Sequence, residues 1–132
     1  MAVVTNGDFD QQYAKLKRFG LLRALGEPLT PTQLGAAKPD PACFLAACEH
    51  LGISAPRTVY VGDWLEGDAM AATGAGVVGV WLDRGVDPVT GDATNPEAYR
   101  GMPVIRIESL AELPRLIESQ ALEKGALQLP DG

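Results

Sequence analysis

The hydrophobic residues of the chain fall into short continuous runs, separated by longer stretches in which apolar residues recur with a helical spacing. A short apolar run that stops abruptly at polar or glycine residues is typical of a buried strand. The pattern predicts four such strands, at residues 2–4, 58–61, 77–82 and 104–107.

Helices are predicted in the stretches between these strands. Apolar residues spaced by three indicate one or two amphipathic helices across residues 9–25, with a break near Gly20. Asp40 and Pro41 have the residue types of an N-cap and a first helical position, so a helix is predicted from there to a stop at Gly52. Two further helices are predicted at residues 65–73 and 109–122.

Strands that alternate with helices imply a mostly parallel sheet with helices on both faces. The predicted fold class is therefore α/β, a three-layer, Rossmann-like arrangement. Residues 83–101 are rich in Asp, Gly and Pro, which predicts a long surface loop. We expect one domain at residues 1–122, followed by a frayed tail at residues 123–132.

Composition and charge narrow the range of partners. Of the 132 residues, 46% are hydrophobic and 21% charged, a balance typical of globular proteins. The net charge of -6 disfavours binding to nucleic acid or to an anionic membrane, and makes a small ligand or a metal ion the more suitable partner. The only cysteines, Cys43 and Cys48, lie five positions apart in one predicted helix, which argues against a disulfide framework and favours a reducing, cytoplasmic location.

Polar residues follow the predicted strands at the points where the strands end. The carboxyl ends of parallel strands meet at one edge of a sheet, and ligands bind there. Thr5 and Asn6 follow the first strand and Asp63 follows the second, so we expect a hydroxyl and a carboxylate at the same edge. Asp68 lies five residues after Asp63 in an acidic loop, whose hard oxygen ligands suit Mg²⁺.

Lys38 lies just before the predicted helix start at Asp40. The helix macrodipole disfavours a cation at this position, so a neighbouring anion is expected. We predict that Lys38 lies within reach of the carboxylate of Asp63 or Asp68.

Three segments together resemble the haloacid dehalogenase-like hydrolase superfamily. They read Ala-Val-Val-Thr-Asn-Gly at residues 2–7, Lys-Pro-Asp-Pro at residues 38–41, and Val-Tyr-Val-Gly-Asp at residues 59–63, followed by Asp68. Their order and spacing match the second, third and fourth motifs of that family. The resemblance covers about residues 1–118 and implies the family's Rossmann-like core.

The resemblance implies roles for the residues of the second and third motifs. Thr5 would hold the transferring phosphoryl group, with the backbone of Asn6 and Gly7 beside it as substrate-binding groups. Lys38 would neutralise both the nucleophile and the phosphate. Thr5 and Lys38 are thus the expected catalytic residues of this chain.

The fourth motif implies a metal site. Asp63 would bind Mg²⁺, and Asp68 would support either the metal or the lysine. The expected cofactor is therefore Mg²⁺, and the expected substrate is a small phosphorylated metabolite.

The first motif of the family, Asp-x-Asp-x-Thr, does not occur in the 132 residues. In the family this motif lies at the end of the central strand and supplies the nucleophile, and a cap domain commonly follows it. The resemblance therefore predicts a core that is incomplete at this strand. We expect a truncated, inactive fragment whose missing half is supplied in trans, or whose gap is closed in a homodimer.

Several functions are compatible with this pattern. The leading one is Mg²⁺-dependent hydrolysis of a phosphate monoester through an aspartyl-phosphate in the full-length enzyme. The alternatives are haloacid dehalogenation, which needs no metal, and a non-catalytic module that self-associates or binds a partner through its strand edges. A phosphoacceptor receiver domain is excluded because Thr5 and Lys38 precede Asp63, the reverse of the receiver order.

Overall fold

The computed structural model describes residues 1–123, which form six α-helices and one three-stranded sheet. The helices are α1 (Phe9–Arg18), α2 (Leu22–Leu25), α3 (Pro31–Leu34), α4 (Pro41–Leu51), α5 (Ala71–Gly74) and α6 (Leu113–Glu123). The strands are β1 (Val59–Gly62), β2 (Val78–Leu82) and β3 (Ile105–Ile107). A π-helical segment, Leu65–Met70, leads into α5, and two 3₁₀ turns lie at Ala55–Arg57 and Leu110–Glu112.

The three strands run parallel in the order β1, β2, β3. β2 is central and largely buried, with Val80 and Trp81 at most 1% exposed, whereas all four residues of β1 are half-buried. Alternate residues of a strand point to opposite faces of the sheet. Val80 accordingly packs towards Leu116 of α6 on one face, while Tyr60 packs towards Phe44 of α4 on the other. The predicted three-layer α/β fold is confirmed.

Most of the predicted helices and strands are confirmed. The sequence patterns that predict them involve residues close together in the chain. The strands expected at residues 58–61, 77–82 and 104–107 correspond to β1, β2 and β3. Asp40 caps α4 by accepting a hydrogen bond from the Ala42 N–H (2.9 Å), and Gly52 ends the helix in the left-handed conformation (φ 69°).

No helix in the described part of the chain is long and apolar enough to cross a membrane. The predicted tail lies, from residue 124 onwards, outside the described residues.

The strand predicted at residues 2–4 was expected to be fully buried, and this is wrong. It is present only as an isolated parallel bridge between Val4 and Leu29, and Val4 is half-buried. Among the described residues, this segment has a backbone partner on one side only. The pairing of Val4 with Leu29 was not predicted, and neither was helix α3. Pro28 and Pro31 were interpreted as residues that end the preceding helical region.

The described residues thus contain two separate sets of paired extended backbone. One is the bridge between Val4 and Leu29, and the other is the sheet of β1, β2 and β3. β1 pairs with β2 along one edge, and its other edge has no strand partner among residues 1–123. This arrangement agrees with the prediction that the sheet is incomplete between the first segment and β1.

The loop at residues 83–101 is anchored at its first residue. The carboxylate of Asp83, only 7% exposed, accepts hydrogen bonds from the Thr94 hydroxyl (2.6 Å), the Gly85 N–H (2.9 Å) and two nitrogens of Arg106 (2.8 and 3.0 Å). Burial alone would raise the pKa of Asp83, but these hydrogen bonds outweigh burial and hold the pKa below its usual value. One carboxylate therefore fastens a long loop to β3.

Replacing Asp83 with Asn is expected to lower the free energy of unfolding at neutral pH by about 2 kcal/mol, since hydrogen bonds to charged groups contribute about 1.5–3 kcal/mol. Because the folded-state pKa is depressed, this contribution is complete above the unfolded pKa of about 3.9 and is lost as the pH falls through the folded value. Urea titrations should show the difference between parent and variant shrinking below about pH 4.

The control for this prediction is Glu108→Gln. Glu108 is an exposed partner of Arg106, so its loss should change stability by less than about 0.5 kcal/mol. Equal losses for the two variants would contradict the anchoring role of Asp83.

Candidate functional site

Lys38 and Asp68 form an ion pair beside the carboxyl end of β1. Lys38 Nζ lies 2.8 Å from Oδ1 of Asp68, and the two side chains are 16% and 7% exposed. Lys38 precedes α4, whereas Asp68 lies in the π-helical segment after β1. The prediction that Lys38 has an anionic neighbour is confirmed, and that neighbour is Asp68.

Gly62 allows Asp68 to occupy this position. A Cβ atom at Gly62 would overlap the side chain of Asp68, so the last residue of β1 has to be glycine for the carboxylate to lie against the strand. The Trp64 N–H donates a hydrogen bond to Asp68 Oδ2 (3.2 Å), and the Trp64 carbonyl accepts one from the Asp68 N–H (2.7 Å). A side chain at Gly67 would overlap the indole of Trp64. The two glycines thus permit the tight acidic segment that presents Asp68.

The side chain of Asn6 holds the backbone of Lys38. Its Nδ2 donates to the Lys38 carbonyl and its Oδ1 accepts from the Lys38 N–H, both at 2.9 Å. The Thr5 hydroxyl accepts a hydrogen bond from the Gly7 N–H (3.0 Å), which closes a turn at residues 5–7. The structure therefore brings this turn and Lys38 together, although they are more than 30 residues apart in the sequence. That Asn6 and Gly7 bind substrate stays a prediction.

Asp63 directly follows β1 and is half-buried. Its carbonyl accepts a hydrogen bond from Trp81 Nε1 (3.3 Å), but its carboxylate has no hydrogen bond or ion pair with any residue in the range 1–123. Carboxylate oxygens that are free in this way suit a hard cation such as Mg²⁺, so Asp63 fits the predicted metal ligand.

Asp68 fits a direct metal ligand less well than Asp63. Its Oδ1 accepts from Lys38 and its Oδ2 from Trp64, so both oxygens are already engaged. In the part of the chain that the structure describes, no group of three or more His, Cys, Asp or Glu side chains lies close enough together to hold a metal ion. A metal ion at Asp63 would therefore need further ligands of another kind, such as water, backbone carbonyls, a substrate phosphate or groups outside these residues. The metal role of both aspartates stays a prediction.

The charge of Lys38 is maintained by its surroundings. Burial alone would lower the pKa of Lys38, but interactions with Tyr60 and Asp68 outweigh burial and raise the pKa above its usual value. Burial raises the pKa of Tyr60 to about 12, so the phenol is neutral at physiological pH. Asp68 is therefore the anion that stabilises the Lys38 ammonium.

A cavity of about 240 Å³ borders Asp63. Leu65, Glu66 and Trp81 line it together with residues of the loop that follows β2, among them Thr94 and Asn95. The composition of this loop predicted a surface position but gave no indication that it would form a wall next to Asp63.

Two of the contacts to this site were not predicted. The Tyr60 hydroxyl lies 3.4 Å from Oδ1 of Asp68, and the Asn6 side-chain amide forms two hydrogen bonds with the Lys38 backbone. A tyrosine in an otherwise apolar strand is a usable signal, because a buried hydroxyl needs a polar partner. The asparagine offers no such signal, since exposed asparagines are common in turns.

A family model for haloacid dehalogenase-like hydrolases matches residues 1–76. The chain is 36% identical over 85 residues to the glyceraldehyde 3-phosphate phosphatase of Methanopyrus kandleri, a match that covers 64% of this chain and 36% of that protein. It is 35% identical over 113 residues to the phosphoserine phosphatase of Thermus thermophilus, which covers 86% of this chain and 42% of that protein.

Solved structures are similar as well. A dehalogenase with an intermediate complex superposes with a TM-score of 0.71 at 29% identity, over 87% of this chain and 47% of that one. The HAD hydrolase YfnB of Bacillus subtilis, bound to magnesium, superposes with a TM-score of 0.69 at 27% identity, over 88% of this chain and 48% of that one. The chain spans less than half the length of each of these four proteins.

Gly62→Ala is expected to displace Asp68 from Lys38 and to lower the free energy of unfolding by about 1–3 kcal/mol, the usual cost of overpacking. The matched control is Gly74→Ala, because a Cβ at this last residue of α5 would meet nothing within 4 Å. Urea denaturation should show the control to be as stable as the parent or slightly more stable. If Gly62→Ala were as stable as the parent, the close packing of Asp68 against β1 would be contradicted.

Proposed function

The chain belongs to the haloacid dehalogenase-like hydrolase family, and we propose that it forms part of an active site that hydrolyses phosphate monoesters with the help of Mg²⁺. The Lys38 ammonium carries this proposal. It is held 2.8 Å from the buried carboxylate of Asp68, and Asn6 of the turn at residues 5–7 binds the Lys38 backbone, which supports a role for this cation in neutralising a phosphate. The two curated relatives described above, both phosphatases, support this chemistry.

The neighbouring turn supplies a hydrogen-bond donor. Because the Thr5 hydroxyl accepts a hydrogen bond from the Gly7 N–H, its own hydrogen remains available for a phosphate oxygen. A fixed donor and a fixed cation at one edge stabilise charge that develops on a transferring phosphoryl group, without reorganising during the reaction. Thr5 and Lys38 are the two catalytic groups that we assign to this chain.

Asp63 is the residue that we assign to the metal. Its carboxylate has no partner within residues 1–123 and lies at the end of β1, close to Asp68 in the sequence. When bound, Mg²⁺ would supply positive charge to the phosphoryl group and fix its orientation. Asp68 would act through Lys38, because its oxygens are occupied by Lys38 and Trp64.

The attacking carboxylate is assigned to another polypeptide segment. The 132 residues contain no Asp-x-Asp-x-Thr motif, and charge-stabilising groups cannot replace an attacking atom. Within the described residues, the outer edge of β1 and one side of the segment at Val4 lack strand partners. A strand placed between them would restore backbone hydrogen bonding to both edges and could carry the nucleophile to the side chains of Lys38 and Thr5.

Haloacid dehalogenation is the second candidate. It is favoured by the likeness to a solved dehalogenase, at a TM-score of 0.71 and 29% identity. The unengaged carboxylate of Asp63 favours the phosphatase over this candidate, since dehalogenation needs no metal.

A chimera tests the proposal. In the Thermus thermophilus phosphoserine phosphatase, the stretch that matches this chain over 113 residues would be replaced by the corresponding residues of this chain. We expect Mg²⁺-dependent hydrolysis of p-nitrophenyl phosphate. Lys38→Met should lower kcat by about 100-fold or more, as the loss of one charge-stabilising group does elsewhere. The control Lys17→Met, on the exposed side of α1, should leave kcat unchanged.

Three results would contradict the proposal. A folded chimera without phosphatase activity would contradict the assigned chemistry, and halide release from a 2-haloacid by that chimera would favour the dehalogenase. Full activity of the Lys38→Met chimera would contradict the role of Lys38. Turnover by the 132-residue chain alone, abolished by mutating one of its own carboxylates, would show that the nucleophile lies within the chain.

A further inference from the structure

Tyr60 lies in the middle of β1 and contacts both members of the ion pair. Its hydroxyl is 3.4 Å from Asp68 Oδ1, the oxygen to which Lys38 Nζ donates its hydrogen bond. Lys38 Nζ in turn lies 5.8 Å from the centre of the Tyr60 ring. Three polar groups from three segments of the chain thus meet at one point.

The Tyr60 ring is itself held in place. It packs edge-on against Phe44, with the ring centroids 4.9 Å apart and the planes at 86°. Phe44 is 2% exposed and belongs to the cluster that joins α4 to α5. The position of the phenol is therefore fixed by α4, the helix that Lys38 precedes.

One contact does not define the position of a lysine ammonium. The Lys38 side chain has several rotatable bonds and three N–H donors, and the hydrogen bond to Asp68 uses one of them. With Asp68 alone, Nζ could swing around Oδ1. The Tyr60 hydroxyl, which shares Oδ1 of Asp68 with Nζ, limits that movement from a second side. The ring adds a favourable cation–π contact that phenylalanine would keep.

We propose that Tyr60 is a positioning residue that holds the Lys38 ammonium against Asp68, so that the remaining donors of Lys38 point to one place. The benefit to phosphate binding rests on the proposed function, whereas the positioning itself does not. If Tyr60 served only to pack the core, phenylalanine would fill the same space against Phe44 and Lys38 would behave identically.

The test compares Tyr60→Phe with the parent and with the control Tyr13→Phe, whose ring stacks on Phe9 in α1. Each protein is treated with an acylating reagent, and modification of each lysine is followed by peptide mass spectrometry. Tyr60→Phe should raise the rate of modification at Lys38 by about threefold or more, as expected on losing a weak hydrogen bond. Lys15 and Lys17 in the same molecules should not change, and neither should any lysine in the control.

An unchanged rate at Lys38 in folded Tyr60→Phe would overturn the proposal. If that variant unfolds, the parent itself provides the test, because nuclear Overhauser contacts between the Lys38 side chain and the Tyr60 ring protons are then required. Their absence would equally overturn the proposal. Neither measurement needs enzymatic activity, so a failure of the phosphatase assignment is distinguishable from a failure of this one.

In the active chimera, Tyr60→Phe should lower kcat more than it raises KM, since misplacing a cation weakens its hold on the developing charge more than substrate binding. A change confined to protein stability, with kcat and KM unaltered, would support packing alone and contradict a positioning role.

Discussion

The buried ion pair between Lys38 and Asp68 is the constraint to which the rest of the site conforms. Removing two charges from water costs several kcal/mol for each ion, and only close geometry with further hydrogen bonds offsets this. The chain meets the requirement with a glycine at position 62, which makes room for the carboxylate, and with the Trp64 N–H, which satisfies its second oxygen. The pair joins the segment before α4 to the segment after β1.

A second ion pair, between Asp83 and Arg106, lies at the carboxyl end of the neighbouring strand β2. Asp83 follows β2 and is joined to Arg106 of β3 and to Thr94, so the long loop is fixed beside the cavity at Asp63. The two pairs therefore stabilise neighbouring loops on one edge of the sheet. The turn at residues 5–7 reaches the same place through Asn6, while its own strand segment contributes one bridge.

The sequence predicted the features that depend on neighbouring residues. The cap at Asp40 and the stop at Gly52 are local. An anionic neighbour for Lys38 followed from the unfavourable position of a cation at a helix start, and the structure selects Asp68 over Asp63. Contacts between distant segments were not predictable in this way. The bridge of Leu29 to Val4 depends on tertiary packing, and Thr30 starts α3 through a capping box with Gln33, although the flanking prolines had indicated a loop.

A double-mutant cycle on the ion pair tests the central claim most directly. Lys38→Met, Asp68→Asn and the double variant would be compared with the parent by urea denaturation at neutral pH. If the pair organises the site, each single change should cost about 3 kcal/mol, because it leaves a buried charge without a partner. The double change should then cost about 2 kcal/mol less than the two single losses combined. Losses that add within about 0.5 kcal/mol would contradict the account, since they would show that the two side chains contribute independently.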